Sequence, residues 1–260
     1  MRFGVCCGEE RFGTAAEMGY DYVETVFSKF TTMTDGEYAR LLSELRKYNL
    51  KSEACNCFFP SEMKLVGETA DFSQIDSYVK KGMERAAEAG CKVAVIGSGG
   101  ARRIPENFDR DKAVFQFCRM LNICGDAAEK YGVRIAIEPL NYDETNFINT
   151  VSEGLEICKA ADNPNVGVLA DFYHIYRTGE TLDAVKKAGN LLFHVHLARP
   201  DNDRGVPYEP SDIDACKKWK SALEAAGYNG RLSLEAKYQP DFMTALERTG
   251  PAIKIFGKSE

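Results

Sequence analysis

Along the chain, short runs of branched aliphatic residues alternate with longer stretches in which apolar positions recur every three or four residues. The first pattern suits a buried strand and the second an amphipathic helix. Strands are predicted at Phe3–Cys7, Tyr22–Val26, Lys51–Cys57, Lys92–Gly97, Val133–Glu138, Val166–Asp171, Leu191–His196 and Arg231–Glu235. Helices are predicted at Gly13–Met18, Asp35–Tyr48, Asp71–Ala89, Asp109–Tyr131, Val151–Ala161, Leu182–Ala188, Ile213–Ala226 and Phe242–Ile255. Four of these helices end at Met18-Gly19, Ala89-Gly90, Tyr131-Gly132 and Ala226-Gly227, where glycine accepts the left-handed conformation that turns the chain toward a strand.

Strict strand–helix alternation implies parallel strands, because parallel neighbours need a crossover connection. Eight units in 260 residues predict an α/β fold, a single (β/α)8 TIM barrel spanning 1–260, since such a barrel needs about 250 residues. An open doubly wound sheet is the alternative, but Gly8 and Gly13 lack the G-x-G-x-x-G spacing of a dinucleotide site.

Alternate residues of a strand face opposite sides. Strand five sets Ile135 and Ile137 against Ala136 and Glu138, and strand six sets Val168 and Ala170 against Gly167, Leu169 and Asp171. Strand seven sets Phe193 and Val195 against Leu192, His194 and His196, and strand eight sets Leu232 and Leu234 against Ser233 and Glu235. With the first-named sets toward the helices, Glu138, Asp171, His196 and Glu235 point into the barrel at the C-terminal ends of four consecutive strands. Barrels of this kind build their active sites at that end. Two glutamates, an aspartate and a histidine form a mostly oxygen donor set, which suits Mn²⁺, Mg²⁺ or Co²⁺ better than a thiolate-seeking metal. Without a cation the three carboxylates would repel one another. A single strand-end carboxylate is more often a capping or ion-pairing group, so the metal expectation rests on the coincidence of four. His194, one layer below His196, is read as a hydrogen-bonded core histidine. His174, just past strand six, is read as a hydrogen-bonding group beside the metal.

Composition narrows the partners. Hydrophobic residues make up 44% and charged residues 28% of the chain, ordinary values for a soluble globular protein. A net charge of −6 speaks against nonspecific nucleic-acid or anionic-membrane binding, which relies on clustered lysine and arginine. A small-molecule partner is expected. MRFGVCCGEERFG lacks the layout of a signal peptide and no 18-residue apolar run occurs, so a cytoplasmic location is expected. The nine cysteines are odd in number and are read as free thiols, Cys6, Cys7, Cys55 and Cys57 in strands and Cys118, Cys124, Cys158 and Cys216 in helices. Cys55 and Cys57 stand too close for a structural zinc pair. In GSGGARRIP, Arg102 and Arg103 are either an anion site for a substrate phosphate or carboxylate, or part of a flexible solvated loop. Glu24 is a candidate pocket residue near Phe27, while Phe58, Phe59 and Trp219 are read as packing, with a wall of a sugar site as the alternative for Phe58 and Phe59, which follow strand three.

EPLNYDETNFINT, LADFYHI, HVHLARPDNDRGVP and RLSLEA, in that order and spacing, resemble the xylose-isomerase-like barrel superfamily of sugar (phosphate) isomerases and epimerases. The motifs are most similar to those of ketose 3-epimerases of the D-tagatose and D-psicose type. The resemblance implies one divalent metal held by Glu138, Asp171, His196 and Glu235, with Mn²⁺ first and Co²⁺, Mg²⁺ or Zn²⁺ as alternatives. It implies proton transfer by Glu138 and Glu235, and contacts to a sugar or sugar phosphate from Glu144, His174 and Arg204. Family members often form dimers or tetramers. The segment 197–203 is longer than the epimerase counterpart, which makes Arg199 a competitor for the role of Arg204.

The chemistry fits that likeness. Removing the proton beside a ketone creates an enediolate whose charge a metal can hold. Returning the proton from the opposite face gives an epimer, and returning it to the adjacent carbon gives an aldose–ketose isomer. A keto-inositol (inosose) dehydratase-type lyase is a rival that shares the intermediate. An endonuclease IV-like DNA repair enzyme is a more distant rival, since it needs many histidines and positive charge, against three histidines and −6 here. A non-catalytic sugar-binding barrel would leave the four converging ligands unexplained.

Overall fold

The long helices start where a side chain can cap them. Thr34, Asp71, Asp109, Thr150 and Asp241 each accept a backbone N–H of the following turn, satisfying donors that the helix itself leaves open. Gly19, Gly90, Gly132 and Gly227 have the positive φ expected of them at the turns into the next strands. In the computed structural model, which describes residues 1–201 and 203–257, these turns feed eight parallel strands that close into a barrel in sequence order. Residue 202, within the long 197–203 segment, and residues 258–260, the end of the expected domain, lie outside the described residues.

The strands are β1 Arg2–Cys6, β2 Tyr22–Val26, β3 Ser52–Asn56, β4 Val93–Ile96, β5 Arg134–Ile137, β6 Val166–Asp171, β7 Leu192–Leu197 and β8 Arg231–Leu234. The helices are α1 Phe12–Glu17, α2 Phe27–Thr32, α3 Asp35–Lys47, α4 Phe72–Glu88, α5 Gly99–Arg102, α6 Arg110–Glu129, α7 Val151–Ala161, α8 Phe172–Thr178, α9 Asp183–Ala188, α10 Pro210–Ala225 and α11 Phe242–Ile255. Three short helices, α2, α5 and α8, follow β2, β4 and β6 directly and were not predicted from the sequence. Among the described residues, no helix is long and apolar enough to cross a membrane.

Two bulges alter the simple alternation of faces. Val168 pairs with Leu192 but Leu169 pairs with His194, so β7 carries one extra residue. As a result Leu192 joins the core beneath the helices, while Phe193 packs inside the barrel with Val93, Val95, Ala136 and Leu169. The predicted faces of Leu192 and Phe193 are thereby exchanged, because a bulge puts two successive residues on one side. His194 and His196, beyond the bulge, keep their inward direction. The second bulge lies in β3, where Val23 pairs with Ser52 and Glu24 with Ala54. Glu53 at this bulge accepts from Arg2 Nη2 at 2.7 Å and Arg231 Nε at 2.8 Å, an ion cluster at the N-terminal end of the barrel.

All nine cysteines are free, but Cys7 and Cys57 lie one residue past their strands rather than within them. Cys57 has φ +47°, which ends β3. The packing assignments match the structure: Phe58 stacks on Phe27 at 3.8 Å, Phe59 on Tyr78 at 5.5 Å, and Trp219 on Phe172 at 4.4 Å.

Candidate metal centre

Glu138 follows β5 directly, Asp171 ends β6, His196 is the penultimate residue of β7 and Glu235 follows β8. Parallel neighbours bring these positions to one height on the barrel axis, and one donor atom from each lies within 4.8 Å of the others. His196 Nδ1 stands 3.1 Å from Glu138 Oε1, 2.9 Å from Glu235 Oε2 and 3.8 Å from Asp171 Oδ2. The close approach of Glu138 depends on Gly97, where a Cβ would meet Glu138 Oε2 at 2.2 Å. Asp171 does two jobs, since its Oδ1 accepts from Tyr173 N at 2.8 Å and so caps α8, while its Oδ2 faces the cluster.

The cluster balances its negative charge with positive groups of its own. Burial opposes ionisation of Glu235, but the Arg204 guanidinium and His196 outweigh it and hold this carboxyl well below its usual range. Burial and the neighbouring Glu235 charge together raise Glu138. His196 is held protonated well above its ordinary range, because Glu235 and Glu24 overcome the cost of burying its charge. Glu235, Glu24 and Glu138 thus favour a proton on His196, and Glu235 and Asp171 favour the guanidinium charge of Arg204. The oxygens of Glu138, Asp171 and Glu235 and the His196 Nδ1, once deprotonated, form a donor set suited to a hard divalent ion.

Arg204 Nη2 donates to Asp171 Oδ2 at 2.6 Å and to Glu235 Oε2, and the guanidinium lies 4.9 Å from the centre of the Tyr173 ring. Its backbone has φ +55° and its carbonyl accepts from Lys237 N at 2.7 Å, so the loop delivers this side chain to the cluster. Arg199, its competitor, is instead engaged with Glu209 at 2.7 Å, Asp201 at 3.2 Å and Asp212 at 3.3 Å. His174 Nδ1 accepts from Asn141 N at 3.2 Å, which leaves the proton on Nε2; that atom is buried, has no hydrogen-bond partner among the described residues and lies 3.7 Å from Asp171 Oδ2. Glu144 lies on the same side, 3.9 Å from His174 Nδ1, with its Oε1 accepting from Asn141 Nδ2 at 2.9 Å.

Two neighbours of the cluster carry more than sequence reasoning assigned them. Asn56, at the end of β3, donates to Glu235 Oε1 at 2.9 Å and was not anticipated; a lone polar residue ending a buried strand was the available signal. Glu24, expected as a pocket residue near Phe27, is 1% exposed and bridges His194 and His196. His194 is the hydrogen-bonded core histidine that its position suggested.

Neither expectation for Arg102 holds. It is fully buried, donating to the Ile96 carbonyl at 3.2 Å and the Ile148 carbonyl at 3.1 Å, and burial lowers its pKa to about 10. α5 folds the glycine-rich run so that this guanidinium ties the end of β4 to the loop after β5. Arg103 is the exposed member of the pair and donates to the Glu144 carbonyl at 3.0 Å.

A probable ketose 3-epimerase of Synechocystis sp. is 35% identical over 108 residues, 41% of this chain and 36% of that protein. An inosose isomerase of Bacillus velezensis is 28% identical over 241 residues, 86% of this chain and 81% of that protein. A crystal structure of D-psicose 3-epimerase in the presence of D-fructose superposes with a TM-score of 0.82 at 18% identity, over 99% of this chain and 100% of that one. The xylose isomerase-like TIM barrel family pattern matches residues 12–256. With a closed eight-stranded parallel barrel and that match over nearly its whole length, the chain belongs to the xylose isomerase-like TIM barrel family.

Proposed function

We propose that this chain is a divalent-metal-dependent sugar isomerase or epimerase that acts on a ketose or a ketose phosphate. The observation that carries the reading is the convergence of Glu138, Asp171, His196 and Glu235 within 4.8 Å at the C-terminal end of the barrel. The names of the relatives, a ketose 3-epimerase and an inosose isomerase, support the same class of chemistry. The reading takes the chain as one cytoplasmic domain and Mn²⁺ as the first metal to test, with Co²⁺, Mg²⁺ and Zn²⁺ after it.

Held by these four residues, a divalent ion would stabilise the negative charge that develops on the substrate oxygens. The residues themselves perform the proton chemistry. One of Glu138 and Glu235 takes the proton from the carbon beside the ketone, and the other returns it. His174, with an unpartnered Nε2–H aimed beside Asp171, donates to a substrate hydroxyl. Glu144 accepts one, and Arg204, between Asp171 and Glu235, orients the sugar against the two glutamates. Asn56 steadies Glu235 through its Oε1. Excluding water from this buried cluster strengthens each of these contacts.

A second substrate reading rests on the inosose isomerase, which is aligned with 86% of this chain: the ketone would then belong to a ring polyol. One experiment separates the outcomes. A panel of ketoses, ketose phosphates and inososes is incubated in D2O with Mn²⁺ and the products are examined by NMR. Deuterium at C3 with inverted configuration identifies an epimerase, an aldose product identifies an aldose–ketose isomerase, and loss of water identifies a lyase. No deuterium uptake into any ketone of the panel together with no aldose or epimer product refutes the proposal.

A further inference from the structure

We infer that Glu24 is a positioning residue that fixes the tautomer and direction of His196, so that the imidazole offers its Nδ1 lone pair to the ion held by the cluster. The inference rests on the reading of Glu138, Asp171, His196 and Glu235 as a metal centre. Glu24 is itself at the inner end of the site, in β2, across the barrel from the strands that carry the four.

Glu24 is buried, and both its oxygens are used: Oε1 accepts from His196 Nε2 at 3.0 Å and Oε2 from His194 Nε2 at 2.8 Å. A carboxylate only accepts hydrogen bonds, so each histidine must carry a proton on Nε2. A neutral imidazole has one proton, and with that proton on Nε2 its free lone pair is on Nδ1. In His196 this is the nitrogen that faces Glu138 Oε1 at 3.1 Å and Glu235 Oε2 at 2.9 Å. The other tautomer would turn an N–H toward the cation and leave no ligand atom there. Hydrogen-bonded carboxylates behind metal-binding imidazoles act in this way generally, and their loss weakens metal binding by about 10- to 100-fold.

The carboxylate is braced from behind. Tyr22 Oη lies 2.9 Å from Ser233 Oγ, which lies 3.3 Å from His194 Nε2. Tyr22 in turn fills the space that Gly4 leaves, where a Cβ would come within 2.2 Å of the Tyr22 ring. The two imidazoles meet edge to face, with ring centres 5.0 Å apart. Residues of β1, β2, β7 and β8 therefore hold one carboxylate oxygen against one nitrogen. Cys6, Glu24 and His196 also have donor atoms within 4.8 Å of one another, but His196 Nε2, the nitrogen nearest to Glu24 at 3.0 Å, already donates to it.

The test is isothermal titration of Mn²⁺ into chelator-stripped wild type, Glu24→Gln and Glu24→Leu. Wild type is expected to bind one ion, Glu24→Leu to bind about 10- to 100-fold more weakly, and Glu24→Gln, which keeps one acceptor, to fall between them. A purely space-filling role for Glu24 predicts no such order among folded variants. Equal affinity in wild type and Glu24→Leu overturns the inference, as does binding of two ions by wild type that falls to one in Glu24→Leu. Failure of wild type to bind any divalent ion refutes the metal centre itself. Should Glu24→Leu not fold, ¹H–¹⁵N correlation NMR of histidine-labelled, Zn²⁺-loaded wild type decides instead. A proton on His196 Nε2 supports the inference, and a proton on Nδ1 overturns it.

Discussion

Replacing Gly97 by alanine changes one methyl group at the rim of the cluster and tests whether the position of Glu138 governs turnover. The new Cβ would stand 2.2 Å from Glu138 Oε2, whereas real contacts of this kind stay beyond 3.0 Å, so the oxygen must retreat by at least the difference, about 0.8 Å. The backbone at Gly97 is not at positive φ, so the alanine is unstrained and gains about 0.4–1 kcal/mol through the unfolded state. The clash falls on the movable end of a side chain, and the fold absorbs it by turning Glu138 away from His196. A displacement near 1 Å costs about 10²-fold in rate, equivalent to about 2.7 kcal/mol of transition-state stabilisation. The expected outcome is a melting temperature at or above that of wild type, together with turnover of the identified substrate reduced about 100-fold. Activity within about threefold of wild type, roughly 0.6 kcal/mol, would refute the dependence of the reaction on the placement of Glu138.

Other perturbations separate chemistry from support. Chelator treatment is expected to abolish turnover and Mn²⁺ or Co²⁺ to restore it; full activity in rigorously metal-free protein sinks the metal-dependent mechanism. Glu235→Gln should lower kcat by at least about 100-fold while circular dichroism stays unchanged, and retained turnover would remove Glu235 from proton transfer. Arg102→Ala deletes a fully buried side chain with two carbonyl partners and should cost about 3–5 kcal/mol in denaturant unfolding; a loss below about 1 kcal/mol contradicts its bracing role. Glu53→Ala removes the acceptor of Arg2 and Arg231 at the far end of the barrel. Because both arginines are partly exposed, the cost should be only about 1–2 kcal/mol of stability, with kcat unchanged.

Arg102 and Glu24 mark where sequence reasoning stopped. Two adjacent arginines after glycines looked equivalent along the chain, yet α5 buries Arg102 completely and leaves Arg103 outside. A four-residue helix that begins at Gly99, after Ser98 at φ +35°, has too short a repeat to announce itself. Glu24 was noticed as a pocket candidate near Phe27 but sits in the middle of β2, its partners lie 170 and 172 positions away, and only closure of the barrel brings β2 opposite β7. The choice between Arg199 and Arg204 was likewise a matter of loop path. Arg199 N donates to the Gly205 carbonyl at 2.7 Å, and the Arg204 side chain reaches the cluster.

The hydrophobic pattern by itself determined the eight strand–helix units, the closed parallel barrel and the inward direction of Glu138, Asp171, His196 and Glu235. Those features are local or strictly periodic: a strand alternates every two residues, a helix nearly every four, and glycine marks the turns between them. The tertiary structure decided the exchange of Leu192 and Phe193 at the β7 bulge, the burial of Arg102, the delivery of Arg204 and the linkage of His194 and His196 through Glu24. Each of these depends on register between strands or on the path of a loop, and neither leaves a periodic trace in one sequence.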